Sequence, residues 1–113
     1  MENLLEETYD ILDKYNLRLD KDVKWIGCKS FQISIEDFTV LANNGYDGGF
    51  GGQEVATDLV IVGKDWWLER HEYDGSEWWE FKQLPKYPDE TKKIMRLVGG
   101  SWDNLEDLNK LKG

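Results

Sequence analysis

The sequence contains one cysteine, one histidine, two prolines and no long apolar run. A single cysteine, Cys28, excludes an intramolecular disulfide and a zinc site built from several thiolates. The acidic start MENLLEETYDILDKY lacks the basic and apolar regions of a signal peptide. No apolar run reaches the roughly 18 residues that a membrane-spanning helix requires. We therefore expect a chain that stays in a reducing cytoplasm and makes no contact with a membrane.

Basic residues are also scarce, since 14 lysines and arginines stand against 23 aspartates and glutamates. The resulting net charge of −9 is repelled by phosphate backbones and by anionic lipid surfaces. A direct nucleic-acid-binding role is therefore disfavoured. Two interpretations of the charge are open: it maintains solubility, or it faces a basic surface on another protein.

Aromatic residues are abundant, with six tryptophans among 113 residues. A chain of this length with 40% hydrophobic residues is long enough to close one core, so we expect a single domain over residues 1–113. Each tryptophan brings a large apolar area and an N–H group that needs a partner. We expect some of the tryptophans to lie outside the core.

Apolar periodicity predicts an α+β fold, an antiparallel β-meander with an N-terminal helix and two C-terminal helices packed on it. Residues 3–15 repeat apolar side chains at helical spacing, with acidic side chains on the opposite side. Strands are predicted at residues 23–27, 31–33 and 58–63. The first C-terminal helix is predicted from residue 89 to the glycine pair at 99–100, and Ser101 is expected to cap the second.

Residues 34–52 are predicted to combine a short helix with a flexible loop. Ser34 is the expected N-cap, and Asn44-Gly45 is expected to end the helix. A strand is the competing prediction, because residues 38–40 favour one. Five of the eight residues 45–52 are glycine, which allows backbone conformations that other residues avoid. The predicted flexible loop comprises Gly45, Tyr46, Asp47, Gly48, Gly49, Phe50, Gly51 and Gly52.

No cofactor and no metal site are expected from the motifs. The glycine loop has neither GK[ST] nor GxGxxG, and the charge of Asp47 opposes a phosphate. Asp47, Glu54 and Asp58 lack the alternating oxygen spacing of a calcium-binding EF-hand. His71 has no second histidine or cysteine cluster with which to share a transition metal.

Asp74-Gly75, between the runs WWLERHEY and SEWWEFK, predicts a β-hairpin over residues 66–82. A two-residue turn puts Trp66, Leu68, Trp79 and Phe81 on one face. The other face then carries Trp67, His71, Tyr73 and Trp78, with Glu69, Glu80 and Lys82. A three-residue loop with a bulged glycine shifts the pairing by one residue and regroups both faces. Either register leaves tryptophan on both faces of the hairpin.

The hairpin is also the predicted binding surface, because tryptophan and tyrosine dominate interface hot spots. We expect Trp67, Tyr73 and Trp78 to be the anchors and the nearby carboxylates to match a basic partner. The predicted set is Trp67, Glu69, His71, Glu72, Tyr73, Glu77, Trp78 and Glu80. In the competing interpretation this is a half-buried sheet face whose aromatic pairs only stabilise the sheet.

Catalysis is not expected, although one arrangement would permit it. Glu69 opposite Glu80 would form the kind of carboxylate pair that acid/base chemistry on a glycosidic bond uses. His71 lacks a nucleophile in a recognisable motif and is predicted to be a surface histidine. We assign no catalytic residues.

The run GFGGQEVATDLVIVGKDWWLERHEYDGSEWWEFKQLP resembles small proteins of tailed phages and prophages of Gram-positive bacteria. The resemblance covers about the middle third of the chain and carries over no catalytic residues. It implies a short acidic protein made in the cytoplasm of a bacterial host. Such phage proteins include anti-CRISPR and anti-restriction inhibitors, some of which imitate DNA, and also replication accessory and assembly proteins.

The leading hypothesis is a binding protein that docks on a basic surface of a host or phage protein, and its finer form is a nucleic-acid-mimicking inhibitor of host defence of the anti-CRISPR or anti-restriction type. One alternative is a carbohydrate- or nucleotide-binding protein, or a small enzyme, that uses the glycine loop beside the tryptophans. Another is a phage structural or assembly protein whose tryptophan-rich face is a contact between copies. The sequence does not give the oligomeric state.

Overall fold

A five-stranded antiparallel sheet with helices on one face forms the body of the protein, which confirms the predicted α+β class. The computed structural model describes residues 2–47 and 52–110. In chain order the elements are β1 Glu2–Asn3, α1 Leu4–Lys14, α2 Leu19–Asp22, β2 Trp25–Gly27, β3 Gln32–Ile33, α3 Ile35–Ala42, β4 Gly45–Tyr46, β5 Val60–Val62, β6 Trp66–Tyr73, β7 Ser76–Gln83 and α4 Leu105–Leu108. The large sheet has the strand order β3-β2-β5-β6-β7, and β1 pairs separately with β4.

Side-chain caps explain where the two longer helices begin. The Asn3 side chain accepts a hydrogen bond from the Glu6 backbone N–H at 3.0 Å, which caps α1. The Ser34 hydroxyl accepts from the Asp37 N–H at 3.0 Å, so residues 35–42 form the predicted helix rather than the competing strand. None of the helices in the described part of the chain is both long and apolar enough to cross a bilayer.

The core lies between the sheet and the helices α1 and α3. Ile26, Ile61 and Leu68 stand side by side on three neighbouring strands and are fully buried. Leu12 of α1 and Phe38 of α3 cover this row. We call this side of the sheet the inner face. Its row of neighbouring aliphatic side chains follows from the alternation of strand side chains between the two sides of a sheet.

The hairpin adopts the two-residue turn, which settles its register. Tyr73 pairs with Ser76, and Asp74 and Gly75 have φ angles of 51° and 84°. Positive φ at both central residues matches the right-handed twist of the flanking strands. The first of the two predicted registers is therefore confirmed. It places both Trp66 and Trp79 on the inner face, where they are buried.

Two predictions about local structure are wrong. Residues 89–98 form no helix, and the second C-terminal helix is limited to the four residues of α4. A short helix at residues 89–98 would be marginal unless its apolar side packed on a surface. Met95 and Leu97 of this segment remain exposed. The prediction of a flexible loop is wrong at Gly45 and Tyr46, which form β4. The remainder of that prediction, at residues 48–51, lies outside the described residues.

Candidate functional site

The sheet presents a second face on the side opposite α1 and α3. The strand register places Trp25 beside Val62 and Val62 beside Trp67. The hairpin continues the same surface toward its turn. We call this surface the outer face, and it consists of Trp25, Val60, Val62, Trp67, Glu69, His71, Tyr73, Trp78, Glu80 and Lys82. Most of these side chains are half-buried, whereas Tyr73 is 76% exposed and Trp78 36%.

Two tryptophan–glutamate pairs run along the strands of the outer face. Trp67 Nε1 donates to Glu69 Oε1 at 2.7 Å, and Trp78 Nε1 donates to Glu80 Oε2 at 2.7 Å. Side chains two residues apart on a strand share a face, which is why the W-x-E spacing allows both bonds. Each indole is thereby held in one orientation, with its polar atom satisfied before any partner arrives.

Glu69 is held in its charged form. The indole hydrogen bond from Trp67 is the main cause of a pKa below the ordinary value for Glu69, and it outweighs the opposing effect of burial. His71 Nε2 lies 3.0 Å from Glu69 Oε2, and Lys82 acts in the same direction. A general acid of a glycosidase requires a raised pKa. The arrangement therefore does not favour acid/base chemistry by Glu69.

Glu69 and Glu80 stand directly opposite each other on β6 and β7. Like charges opposed across a sheet are destabilising. Their indole donors supply hydrogen bonds but no positive charge. A cationic side chain brought by a partner would relieve the repulsion and would contact the indoles of Trp67 and Trp78 at the same time.

The structure brings six of the eight predicted binding residues together on the outer face: Trp67, Glu69, His71, Tyr73, Trp78 and Glu80. The other two lie on the inner side of the hairpin. Glu72 is exposed there, whereas Glu77 is 7% exposed and is committed to a buried ion pair. The prediction for Glu77 is wrong, because its carboxylate holds Arg70 and is not accessible to a partner.

A polar cluster around Arg70 organises the inner face. Its guanidinium donates to Glu77 at 2.8 Å, to Glu7 at 3.0 Å and to the Tyr46 hydroxyl at 3.1 Å. It also lies 4.8 Å from the centre of the Trp79 ring. Tyr46 in turn donates to Glu7, and burial is the main reason that its pKa is raised to about 12.

Carboxylates of this cluster also satisfy backbone groups. Glu7 accepts from the Trp79 N–H at 3.1 Å on β7, an edge strand of the sheet. Glu77 accepts from the Glu54 N–H at 2.7 Å and so holds the chain that follows the glycine loop. The cluster is a structural brace that links α1, β4, residues 54–55 and the hairpin.

Sequence reasoning missed two groups of residues. Trp25, Val60 and Val62 belong to the outer face, and their alternation with Ile26 and Ile61 was a usable signal. The Arg70 cluster had no comparable signal, because its members come from distant parts of the chain.

Across residues 2–47 and 52–110, no three histidine, cysteine, aspartate or glutamate side chains converge on a position that would hold a metal ion. The site is therefore described by its aromatic and acidic groups alone. No protein-family model, curated protein or solved structure matches the chain.

Proposed function

We propose that this is a small acidic phage-type protein whose outer face docks on a basic surface of a host or phage protein in the bacterial cytoplasm. One observation carries the proposal: two oriented indoles alternate with two opposed carboxylates on the sheet face that lies away from α1 and α3. Aromatic anchors beside charged groups are the composition expected of an interface core and its rim.

Preorganisation supports this function. The indoles of Trp67 and Trp78 are already fixed by Glu69 and Glu80, so binding freezes few additional rotamers. The two carboxylates offer an arginine or lysine of the partner a negative charge that the one lysine of this face, Lys82, balances only in part. The net charge of −9 would also accelerate encounter with a basic surface.

An inhibitor of host defence, of the anti-CRISPR or anti-restriction type, is the specific form that we propose. Such a protein would occupy a nucleic-acid-binding site by presenting carboxylates in place of phosphates. A cavity of about 380 Å³ lies beside Trp78 around the edge of the sheet, and its charged lining residues are Glu2, Glu6, Asp10, Lys14 and Glu7, which is paired with Arg70. Acidic groups thus continue from the outer face to α1.

Capture from a bacterial lysate tests the proposal when two baits are compared at about 50 mM and about 500 mM salt. The baits are the parent protein and Trp67→Ala/Trp78→Ala, with circular dichroism showing that both are folded. We expect proteins that bind the parent at low salt, are lost at high salt or with the variant bait, and are displaced by duplex DNA. Equal capture by the two baits would contradict the docking role, and indifference to DNA would contradict nucleic-acid mimicry.

A further inference from the structure

We infer that residues 84–102 of one copy, which we call the C-terminal arm, dock on the outer face of a second copy. The arm follows β7 directly and contains neither helix nor strand. It therefore contacts the outer face of the second copy as an irregular chain segment, not as a helix or a strand. The inference goes beyond the proposed function, because it concerns a contact between copies of this chain; since both contacts use the outer face, a docked arm and a basic partner protein would compete for it.

Large apolar side chains of the arm lie in solvent. Met95 is 85% exposed, Leu97 74%, Val98 84% and Trp102 102%. Single exposed apolar residues are common on proteins, but several within eight residues of sequence are typical of an interaction site. The free energy gained by removing them from water favours a surface that covers them.

The arm is held in shape by a clip to α4. The Asn109 side chain accepts from the backbone N–H groups of Met95 and Arg96, each at 2.9 Å, and donates to the Arg96 carbonyl at 2.9 Å. Arg96 Nε donates to the Leu108 carbonyl at 3.0 Å. Because these four bonds fix the backbone around residue 96, docking the arm requires less ordering than docking an unstructured segment would.

Charge is distributed unevenly between the body and the arm. Residues 1–83 carry eight basic and eighteen acidic side chains, whereas the arm carries four basic and two acidic ones. The body thus has a net charge of −10 and the arm one of +2. An arm of one copy is attracted to the body of another, even though two whole molecules repel each other.

The outer face offers what the arm needs. Trp25, Val62 and Trp67 form an apolar row across three strands, and the opposed Glu69 and Glu80 lie beside it. Apolar arm residues would pack on this row. The ammonium groups of the arm, at Lys92 and Lys93, would then face the two carboxylates, beside which the outer face places one lysine, Lys82.

The shape of the molecule favours a second copy as the owner of the docked arm. The radius of gyration is 19.2 Å and the longest extent 60 Å, whereas a compact domain of this length has a radius of gyration of about 13 Å. The arm leaves the sheet at Gln83, next to Lys82 of the outer face. Reciprocal exchange of two such arms closes a two-fold dimer without exposing a further docking surface.

Sedimentation velocity over a range of protein concentrations tests the inference with matched double variants. Leu97→Ser/Val98→Ser changes the arm, and Val40→Ser/Leu41→Ser changes two residues of the same types on α3 that are 74% and 70% exposed. We expect a parent dimer whose dissociation constant rises about tenfold or more in the arm variant and stays unchanged in the α3 variant.

Mixing identifies the surface that the arm occupies. The arm variant and a face variant, Trp67→Ala/Trp78→Ala, are each expected to dimerise more weakly alone than their equimolar mixture does, since one intact arm meets one intact outer face only in the mixture. A parent that stays monomeric at all concentrations would overturn the inference. A dimer that survives Leu97→Ser/Val98→Ser would overturn it as well.

Discussion

Arg70 and Glu77 form a buried ion pair across the hairpin, with 2.8 Å between Nη2 and Oε1 and side chains that are 0% and 2% exposed. The two residues are diagonal neighbours, because Arg70 pairs with Trp79 and Glu77 pairs with Glu72. The same guanidinium also reaches Glu7 of α1. The Arg70 guanidinium therefore joins the inner face of the hairpin to α1. The opposite side of the hairpin belongs to the outer face.

Replacing Arg70 with methionine is expected to lower the free energy of unfolding by about 3–5 kcal/mol, because Glu7 and Glu77 would then be left near each other without a cation. Urea unfolding followed by tryptophan fluorescence measures the change. The control is Arg18→Met, since Arg18 pairs with Asp20 at a similar 2.9 Å but with side chains 68% and 69% exposed. That variant should change the stability by less than about 1 kcal/mol. Equal effects of the two substitutions would show that the buried cluster does not brace the fold.

Gly75→Ala is expected to destabilise the protein by about 1–2 kcal/mol, because Gly75 has a φ of 84°, which side chains disfavour. Gly52→Ala is the matched control. A Cβ at Gly52 would meet no atom within 4 Å, so that variant should stay within about 0.5 kcal/mol of the parent. Thermal or urea unfolding distinguishes them. A neutral Gly75→Ala would contradict the two-residue turn, and with it the assignment of tryptophans to the two faces.

The carboxyl group of Glu69 is expected to titrate below its ordinary pKa of 4.5. Because the folded state lowers this pKa, the group contributes stability above pH 4.5, and that contribution is lost as the pH falls through the lowered value. An NMR titration of the side-chain carboxyl carbon measures the midpoint. Trp67→Phe removes the indole donor and should raise the midpoint toward 4.5, whereas Trp78→Phe should leave it in place. An unchanged midpoint in Trp67→Phe would refute the role of the indole.

Tyr46 is expected to ionise with a pKa of about 12, because burial disfavours the phenolate. A folded-state pKa raised above 10.0 means that the stabilising contribution is complete below pH 10.0 and is lost as the pH rises through about 12. Ultraviolet absorbance titration of the parent should contain a late component that Tyr46→Phe removes. Loss of an early component instead would show that Tyr46 is accessible to water.

The hairpin was predictable because its determinants are local. Asp74-Gly75 fixes a tight turn, and alternating aromatic side chains on both sides fix two strands. The sequence left a one-residue ambiguity, since both registers place tryptophan on both faces. The burial of Trp66 and Trp79 decides the register, and that burial is known only once the helices that cover the two side chains are placed.

Long-range partners explain the errors. Glu77 looks like one more surface carboxylate in SEWWEFK, and its burial depends on Arg70 and on the backbone of Glu54 and Val55, which folding brings to it. Residues 89–98 have the composition of an amphipathic helix. That pattern predicts a helix only if a surface covers its apolar side, and the side chains of Met95 and Val98 remain in solvent.

Whether the outer face is the docking surface is decided most directly by two double variants that remove equal charge from opposite sides of the protein. Glu69→Gln/Glu80→Gln neutralises the opposed pair on the outer face. Glu72→Gln/Glu36→Gln neutralises two exposed carboxylates, one on the inner side of the hairpin and one on α3.

The affinity of each variant for a protein captured by the parent is measured by isothermal titration calorimetry at low salt. We expect the outer-face variant to bind at least about tenfold more weakly and the control variant to bind like the parent. Equal losses of affinity in both variants would show that the interaction depends on net charge alone. Parent-like binding by Glu69→Gln/Glu80→Gln would contradict docking through the outer face.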